Sequence, residues 1–465
     1  MNIKLKMIIL LCVSCIAFVI AACSGGGGDV SLTEPLPTSA ELPIESTEIP
    51  AGTPSIDGPE SEDASTEISP LEVVMVHSYT DNYGSYRVVG LVKNYSGQAA
   101  EDIEVEIEIF DAGGLSLHSD IARAALYTIA PGEISTFALW VSENLPGAEY
   151  ATATVVDHSV GEIERASVEI RGSVVTVDDD GDVHVTGELY NSRGDPVQIN
   201  GMAAATFDAD GGLMTAKDYS IASRYLDPGE DGPFRVTMIG PAEKIANITE
   251  YQIYVDAEYT APEDYYDLIF SEPTNNYVDT NNTFHLVGEI TNNTEEYLKV
   301  DLLAAIYDEE GNVIDVASTS LPIYSLEPGE TLPYDFDDWG MLNYKDGAID
   351  DASTFSVQWD PYWTWISEVE YVDLPIQNEN SEFDDSYGRF TGEIVNDSGL
   401  LLSNAAVIIC LYDAETGQIV AMGYESLFDD IPAGESVEYD VYLDIEPGLD
   451  IGAVEYVVTA KGELP

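Results

Sequence analysis

Three groups of side chains in this sequence are of types that could do chemistry. Asp178-Asp179-Asp180-Gly181-Asp182 places four carboxylates within five residues, and Asp350-Asp351, Asp384-Asp385 and Asp429-Asp430 add further acid pairs. Hard oxygen donors in flexible turns suit calcium at the weak affinities of extracellular modules, so Asp178, Asp180 and Asp182 are candidate ligands and weakly held calcium is the one cofactor suggested. Thr176 and Val177 precede the run without an acid, and the distal Glu of an EF-hand-like loop is missing. Solvated hairpin tips are therefore the simpler reading. Trp359-Asp-Pro-Tyr362-Trp363-Thr-Trp365 is the second group. Its rings could form a stacking platform for sugars, or a packed joint between domains, which is the commoner use of such a cluster. The third is a column of bases, Arg87, His184, His285 and Arg389, each three residues before a glycine that recurs along the chain. Either these meet an anionic group on a partner, or each faces an acid on an adjacent strand, such as Glu106.

Catalytic patterns are lacking. The five histidines show no His-x-x-x-His spacing and no pairing with cysteine, so no zinc site is expected. Neither a Gly-x-Ser-x-Gly elbow nor a glycine-rich phosphate loop occurs. Acid pairs such as Asp337-Asp338 arise freely among 86 acidic residues, and the chain is expected not to be an enzyme.

The elements that must carry these residues repeat. Gly90-Leu-Val-Lys-Asn94, Gly187-Glu-Leu-Tyr-Asn191, Gly288-Glu-Ile-Thr-Asn292 and Gly392-Glu-Ile-Val-Asn396 are four versions of one phrase, with their glycines 97, 101 and 104 residues apart. From each Asn to Asp111, Asp208, Asp308 or Asp413 is 17, 17, 16 and 17 residues. From that Asp to the glycine of a Pro-Gly-Glu-like turn (Gly132, Gly229, Gly329, Gly434) is 21 every time, and Phe137, Phe234, Tyr334 or Tyr439 follows five residues on. Spacing this regular means four copies of one unit.

Within a copy, Glu104-Val-Glu-Ile-Glu-Ile-Phe110 alternates strictly, so Val105, Ile107 and Ile109 face a core and three glutamates face away. The same parity selects Met202, Ala204 and Thr206, then Leu302, Ala304 and Ile306, then Val407, Ile409 and Leu411. The second set is the smallest and should pack least well. The strand ending at each Asn turns its glycine inward, a missing side chain that makes room for a neighbour, such as an aromatic ring of the facing sheet. Asn and Asp at strand ends supply turn chemistry. About seven short strands in some 95 residues, without helical period, describe an antiparallel sandwich.

The phrases Gly-x-Val/Ile-x-Asn, then Ile409-Cys-Leu-Tyr-Asp413 or Ala304-Ala-Ile-Tyr-Asp308, then Pro-Gly-Glu-x-x-x-Phe/Tyr, resemble the FxLYD domain, an immunoglobulin-like sandwich of secreted and lipid-anchored bacterial proteins. Copies one and two depart from the pattern, with Phe110 and Phe207 for the tyrosine and Ala204 for the large apolar residue. The resemblance implies a fold and brings no catalytic residues. The expected class is all-β: four tandem immunoglobulin-like β-sandwich domains at 71–164, 165–261, 262–366 and 367–465, after a signal peptide and a disordered linker.

The N-terminus gives an address. Lys4 and Lys6, an apolar stretch and Ile20-Ala-Ala-Cys23 resemble a lipoprotein signal, which implies cleavage after residues 1–22 and a diacylglycerol on Cys23. Residues 23–70 form an acidic tether: Ser24–Pro70 has seven prolines, ten acids and no Lys or Arg, too little apolar surface to offset its ordering entropy. Removing the two leader lysines leaves 14 of the 16 bases against 86 acids, a net charge near −72, so nucleic acid is excluded as a partner. Cys12 and Cys15 leave with the leader, and Cys410 stands alone in an apolar strand, which leaves no disulfide within the mature chain. The expectation is a non-catalytic, extracytoplasmic, surface-exposed lipoprotein, anchored to a membrane by its lipid. Its array would serve adhesion, binding or spacing with surface proteins or glycans as partners, the alternative being a glycan-binding envelope component.

Overall fold

The computed structural model describes residues 70–465 apart from 143–144, 162–164, 218, 242–247, 262–265, 272–273 and 344–346. The leader, Cys23 and the tether lie outside the described residues. The described elements are antiparallel strands and three short 3-10 turns, and Glu67–Pro465 form one compact unit.

Each repeat contributes a front and a back sheet, and the third adds a two-stranded pair, Leu298–Lys299 with Trp365–Ile366. In the first, Leu71–Thr80, Tyr86–Asn94 and Ile134–Val141 make a front sheet, and Ser116–Arg123, Ala99–Asp111 and Ala148–Gly161 a back sheet. The fourth repeats this with Ile376–Phe383, Tyr387–Val395 and Ser436–Asp444 in front, and Ile419–Leu427, Ala405–Asp413 and Val454–Glu463 behind. The second and third follow suit, the third with its first front strand broken into Leu268–Phe270 and Asn275–Val278. Val105, Ile107 and Ile109 are buried between the sheets, as their alternation predicts, and so are the matching residues of the other copies. In the second copy Thr206 is buried with its hydroxyl unpartnered.

The repeat glycines are inward, but the ring that fills the space belongs to the neighbouring strand of the same sheet and not to the facing sheet. Gly90, Gly187, Gly288 and Gly392 stand in register with Phe137, Phe234, Tyr334 and Tyr439. A Cβ on Gly288 would lie 2.2 Å from the Tyr334 hydroxyl oxygen, and one on Gly90 2.2 Å from Phe137 Cζ. The ring lies across the glycine backbone, so the fixed spacing of glycine and aromatic is a packing requirement.

The repeat asparagines close each copy. Asn94, Asn191, Asn292 and Asn396 are fully buried. Their amides donate to the carbonyls of Gln98 and Ile129, Asp195 and Leu226, Glu296 and Leu326, and Leu400 and Ile431. Their backbone carbonyls accept from the N–H of Gly132, Gly229, Gly329 and Gly434. One side chain thus ties the strand end to two loops while its backbone holds the Pro-Gly-Glu-like turn. Buried polar atoms with no water available must be satisfied in this way.

The copies then stack. The outer side of one front sheet packs on the outer side of the next back sheet: Tyr79, Val89 and Leu91 meet Ala205, Phe207 and Leu213 at the first seam, and Ile221 meets Ala305, Val313 and Val316 at the second. At the third seam the cores of the two repeats merge. The strands on a seam are buried on both faces, hence the unbroken apolar run Ala405–Leu411.

Candidate functional site

The column of bases lies on these seams. Arg87, His184 and His285 are buried, because the face they project from is covered by the next repeat, while Arg389 on the last front sheet is half-exposed. The acids of Arg87 and His184 lie on the hairpin turn six residues earlier, whereas His285 and Arg389 meet acids on the adjacent front strand, Asp335 and Asp440, and none of the four meets the strand bearing Glu106. Arg87 Nε is 2.6 Å from Asp81 Oδ2, and His184 Nε2 is 3.0 Å from Asp178 Oδ2 with Nδ1 3.1 Å from the Thr237 hydroxyl. In the fourth copy Asp384 caps its turn by accepting from the N–H of Ser386 and Tyr387, and Arg389 makes a paired contact to Asp440 at 2.8 and 2.7 Å. The recurring Asp-x-x-x-x-x-Arg/His spacing of the first three copies was the signal for these partners.

The third copy differs. His285 Nδ1 is 2.8 Å from Asp335 Oδ2, but its buried Nε2 makes no hydrogen bond, and Asp279 Oδ2 stands 3.9 Å away. Asp279 Oδ1 accepts from the N–H of Asn281 and Thr283, and its Oδ2 from the Asn281 amide. Tyr277 stacks on the imidazole with centroids 4.6 Å apart and donates to the carbonyl of Asp444 in the next repeat. Among the described residues, Asp279, His285 and Asp444 are the group whose ligand atoms converge within 4.8 Å. A cavity of about 200 Å³ at this seam is lined by His285, Asp335, Asp337, Tyr442 and Asp444. Burial pushes the Asp335 carboxyl up, the His285 contact opposing it; Asp444 is raised by burial and then by Asp279.

The acid run at 178–182 is absorbed into the first seam. Asp178 Oδ1 accepts from the N–H of Asp182, and Asp182 Oδ1 from the N–H of Gly240. Asp182 Oδ2 faces the Tyr83 hydroxyl at 3.4 Å, and the Asp180 carbonyl accepts from the Asn82 amide. Asp178 and Asp182 are buried and hold protein groups.

The aromatic cluster, although it ends the third copy in sequence, reaches back to the second. Asp360, buried at 1% exposure, accepts from the N–H of Tyr362 at 2.8 Å, starting the turn Pro361–Trp363, and from the N–H of Arg224 at 2.5 Å. Burial pushes the Asp360 carboxyl up to about 6. Trp359 packs near Tyr266, Trp363 meets Tyr362 edge-on, and Lys299 Nζ lies 5.0 Å over the Trp365 ring. Tyr362, Trp363 and Trp365 remain about 40% exposed. Arg224, Asp301, Ser320, Asp360 and Trp363 line a cavity of about 370 Å³ between the second and third repeats.

Two features of the seams escaped the reading of the sequence. Tyr307 and Tyr412, the tyrosines of the third and fourth Tyr-Asp motifs, donate to Glu188 and Glu289 of the preceding repeat at 2.9 and 2.8 Å. At the first seam both partners are apolar, Leu91 and Phe207. A cation also sits at each seam: half-buried Arg165 with Asp256 and Glu133, buried Arg235 with Asp315 at 2.8 Å, and buried Lys461 with Glu330 at 2.7 Å. The residue after the repeat glycine matches the residue before the repeat Asp of the next copy, Leu91 with Phe207, Glu188 with Tyr307 and Glu289 with Tyr412, which is visible once the four copies are aligned with an offset of one.

No family model and no curated protein matches the chain. Among solved structures it is similar to a mutant Salmonella alpha-2-macroglobulin, at 12% identity over 85% of this chain and 29% of that one, with a TM-score of 0.11. It is also similar to Escherichia coli alpha-2-macroglobulin activated by porcine elastase, at 9% identity over 81% of this chain and 51% of that one, with a TM-score of 0.11. The chain thus spans about a third to a half of the length of these neighbours.

Proposed function

We propose that this is a non-catalytic cell-surface lipoprotein, anchored through Cys23, whose stacked FxLYD-like repeats form a stiff spacer that displays its exposed face for adhesion or binding. The observation that carries the reading is where the repeated residues go. Glycine, asparagine, aspartate and aromatic are all used to close turns and pack sheets, the column pairs with acids of its own copy, and Tyr307 and Tyr412 of the Tyr-Asp motif join one copy to the one before. A repeat whose invariant residues serve only its own stacking is built for length and stiffness. The Ile20-Ala-Ala-Cys23 motif supplies the anchor and the tether the reach.

The test has two parts. Fatty-acid labelling should be lost in Cys23→Ser, and small-angle scattering of the full chain should fit one rigid particle for Glu67–Pro465, with no inter-repeat bending. A labelled Cys23→Ser variant, or a flexible string of four beads, would overturn the anchor or the spacer respectively. A glycan-binding role has its own support in the cavity beside Trp363. Loss of sugar binding in Trp363→Ala with unchanged scattering would favour it.

A further inference from the structure

We propose that Asp279, His285 and Asp444 form a binding site for a divalent transition-metal ion of the zinc class, which clamps the third repeat to the fourth. The donor set is one imidazole nitrogen and two carboxylates, whose ligand atoms already converge within 4.8 Å. A tetrahedral site with bonds of 2.0–2.1 Å needs ligand atoms about 3.4 Å apart. The 3.9 Å between His285 Nε2 and Asp279 Oδ2 is therefore a small contraction away. Mixed nitrogen and oxygen donors select zinc-like ions over calcium, which takes oxygen alone.

Two further observations point to a cation. His285 is 5% exposed, and its Nε2 is buried, without a hydrogen bond, on the side where Asp279 stands. An orphaned buried nitrogen is costly unless something binds it. Its Nδ1 faces Asp335, the carboxylate–histidine arrangement that orients an imidazole toward a metal and raises its basicity. Asp335, Asp337 and Asp444 line the same cavity as His285, and among the described residues no lysine or arginine lines it.

The other seams make the contrast. Arg87 fills the first column position with its own charge, and His184 has both nitrogens engaged, by Asp178 and Thr237. Position 444 is Ser142, Ile239 and Trp339 in the other copies, so the third ligand belongs to this seam alone. Asp279 and His285 come from the third repeat and Asp444 from the fourth, so a bound ion would hold the joint from both sides.

Equilibrium dialysis of the full chain against Zn²⁺, read by metal analysis, should give one tightly held ion, and visible absorption with Co²⁺ should report mixed nitrogen–oxygen coordination. His285→Gln should abolish that band, and Asp444→Asn, at a half-buried position tolerant of change, should do the same with the fold intact. Asp335→Asn should weaken binding by about 10- to 100-fold. Asp385→Asn, on an exposed turn, should change nothing. The proposal fails if the wild type retains no Zn²⁺ beyond that of Asp444→Asn, or if His285→Gln leaves stoichiometry and spectrum unaltered.

Discussion

The strand before the repeat Asp exists in four versions, and comparing the first with the other three explains most of the architecture. In copies two to four its outer face carries Ala203 and Ala205, Leu303 and Ala305, and Ile408 and Cys410, all buried under the preceding repeat. In copy one the same positions hold Glu106 and Glu108, and nothing precedes it among the described residues. The last front sheet is likewise polar, with Arg389, Thr391, Glu393 and Asp440 on its outer side. A stack of sandwiches ends where its terminal faces carry charge, because desolvating those groups against a further copy would cost more than the apolar contact returns. Inner seams and outer faces therefore differ by a few residues on one shared scaffold.

The most damaging way to break an inner seam is to strand its buried ion. Asp315→Ala leaves Arg235, 2% exposed, without its carboxylate and removes the acceptor of the Met341 and Leu342 N–H groups. We expect a loss of about 3–5 kcal/mol by chemical denaturation. The paired replacement Arg235→Met with Asp315→Leu should recover much of the ionic part, and failure to recover would mean that the acceptor role dominates.

The next effect is on pH. Folded Asp360 keeps its proton to about 6, whereas an unfolded aspartate releases it near 4, so the folded chain binds more protons between those values. The stability tied to this proton is fully present below about pH 4 and is lost as pH rises through 6, roughly 3 kcal/mol in all. Melting of Asp360→Asn should show a flatter decline over pH 4–6 than wild type. An equal slope would mean that the Asp360 site is wetter than its geometry implies.

Tyr412→Phe removes the hydroxyl that Glu289 accepts from, and should cost about 1.5–3 kcal/mol as a lost hydrogen bond to a charged group. Phe110→Tyr, the matching site on the outer face, should change stability by less than about 0.5 kcal/mol. Similar values for the two would erase the distinction between seam and face. The smallest expected change is in Glu106→Ile with Glu108→Ala, which should leave melting nearly unchanged and make the chain self-associate, seen by sedimentation. A strictly monomeric variant would show that those glutamates are not what ends the stack.

Much of the fold could be read from residue order. Strict alternation placed Val105, Ile107 and Ile109 inside, and the parity of the preceding strand turned Gly90 inward toward a neighbour such as an aromatic ring. Looking for that ring in the facing sheet was an error of topology: the ring is Phe137 of the neighbouring strand, and an inward glycine records that something approaches but not from which layer. The column and the tryptophan cluster were visible as candidates, but not their partners. The Asp81–Arg87 spacing lay unused, and the contact of Asp360 with Arg224 spans 136 residues, a pairing that no local pattern encodes.

By itself, the chain's order of residues determined that four copies of one sandwich would form, because alternation, turn residues and glycine spacing act within tens of residues. Only the tertiary structure decided that the copies stack face to face, that Arg87, His184 and His285 of the basic column are buried, and that Asp279, His285 and Asp444 meet at one joint. The physical reason is that a strand with two apolar faces specifies burial on both sides without specifying by what. The covering surface is set by which neighbouring sheet best fits it in shape and charge.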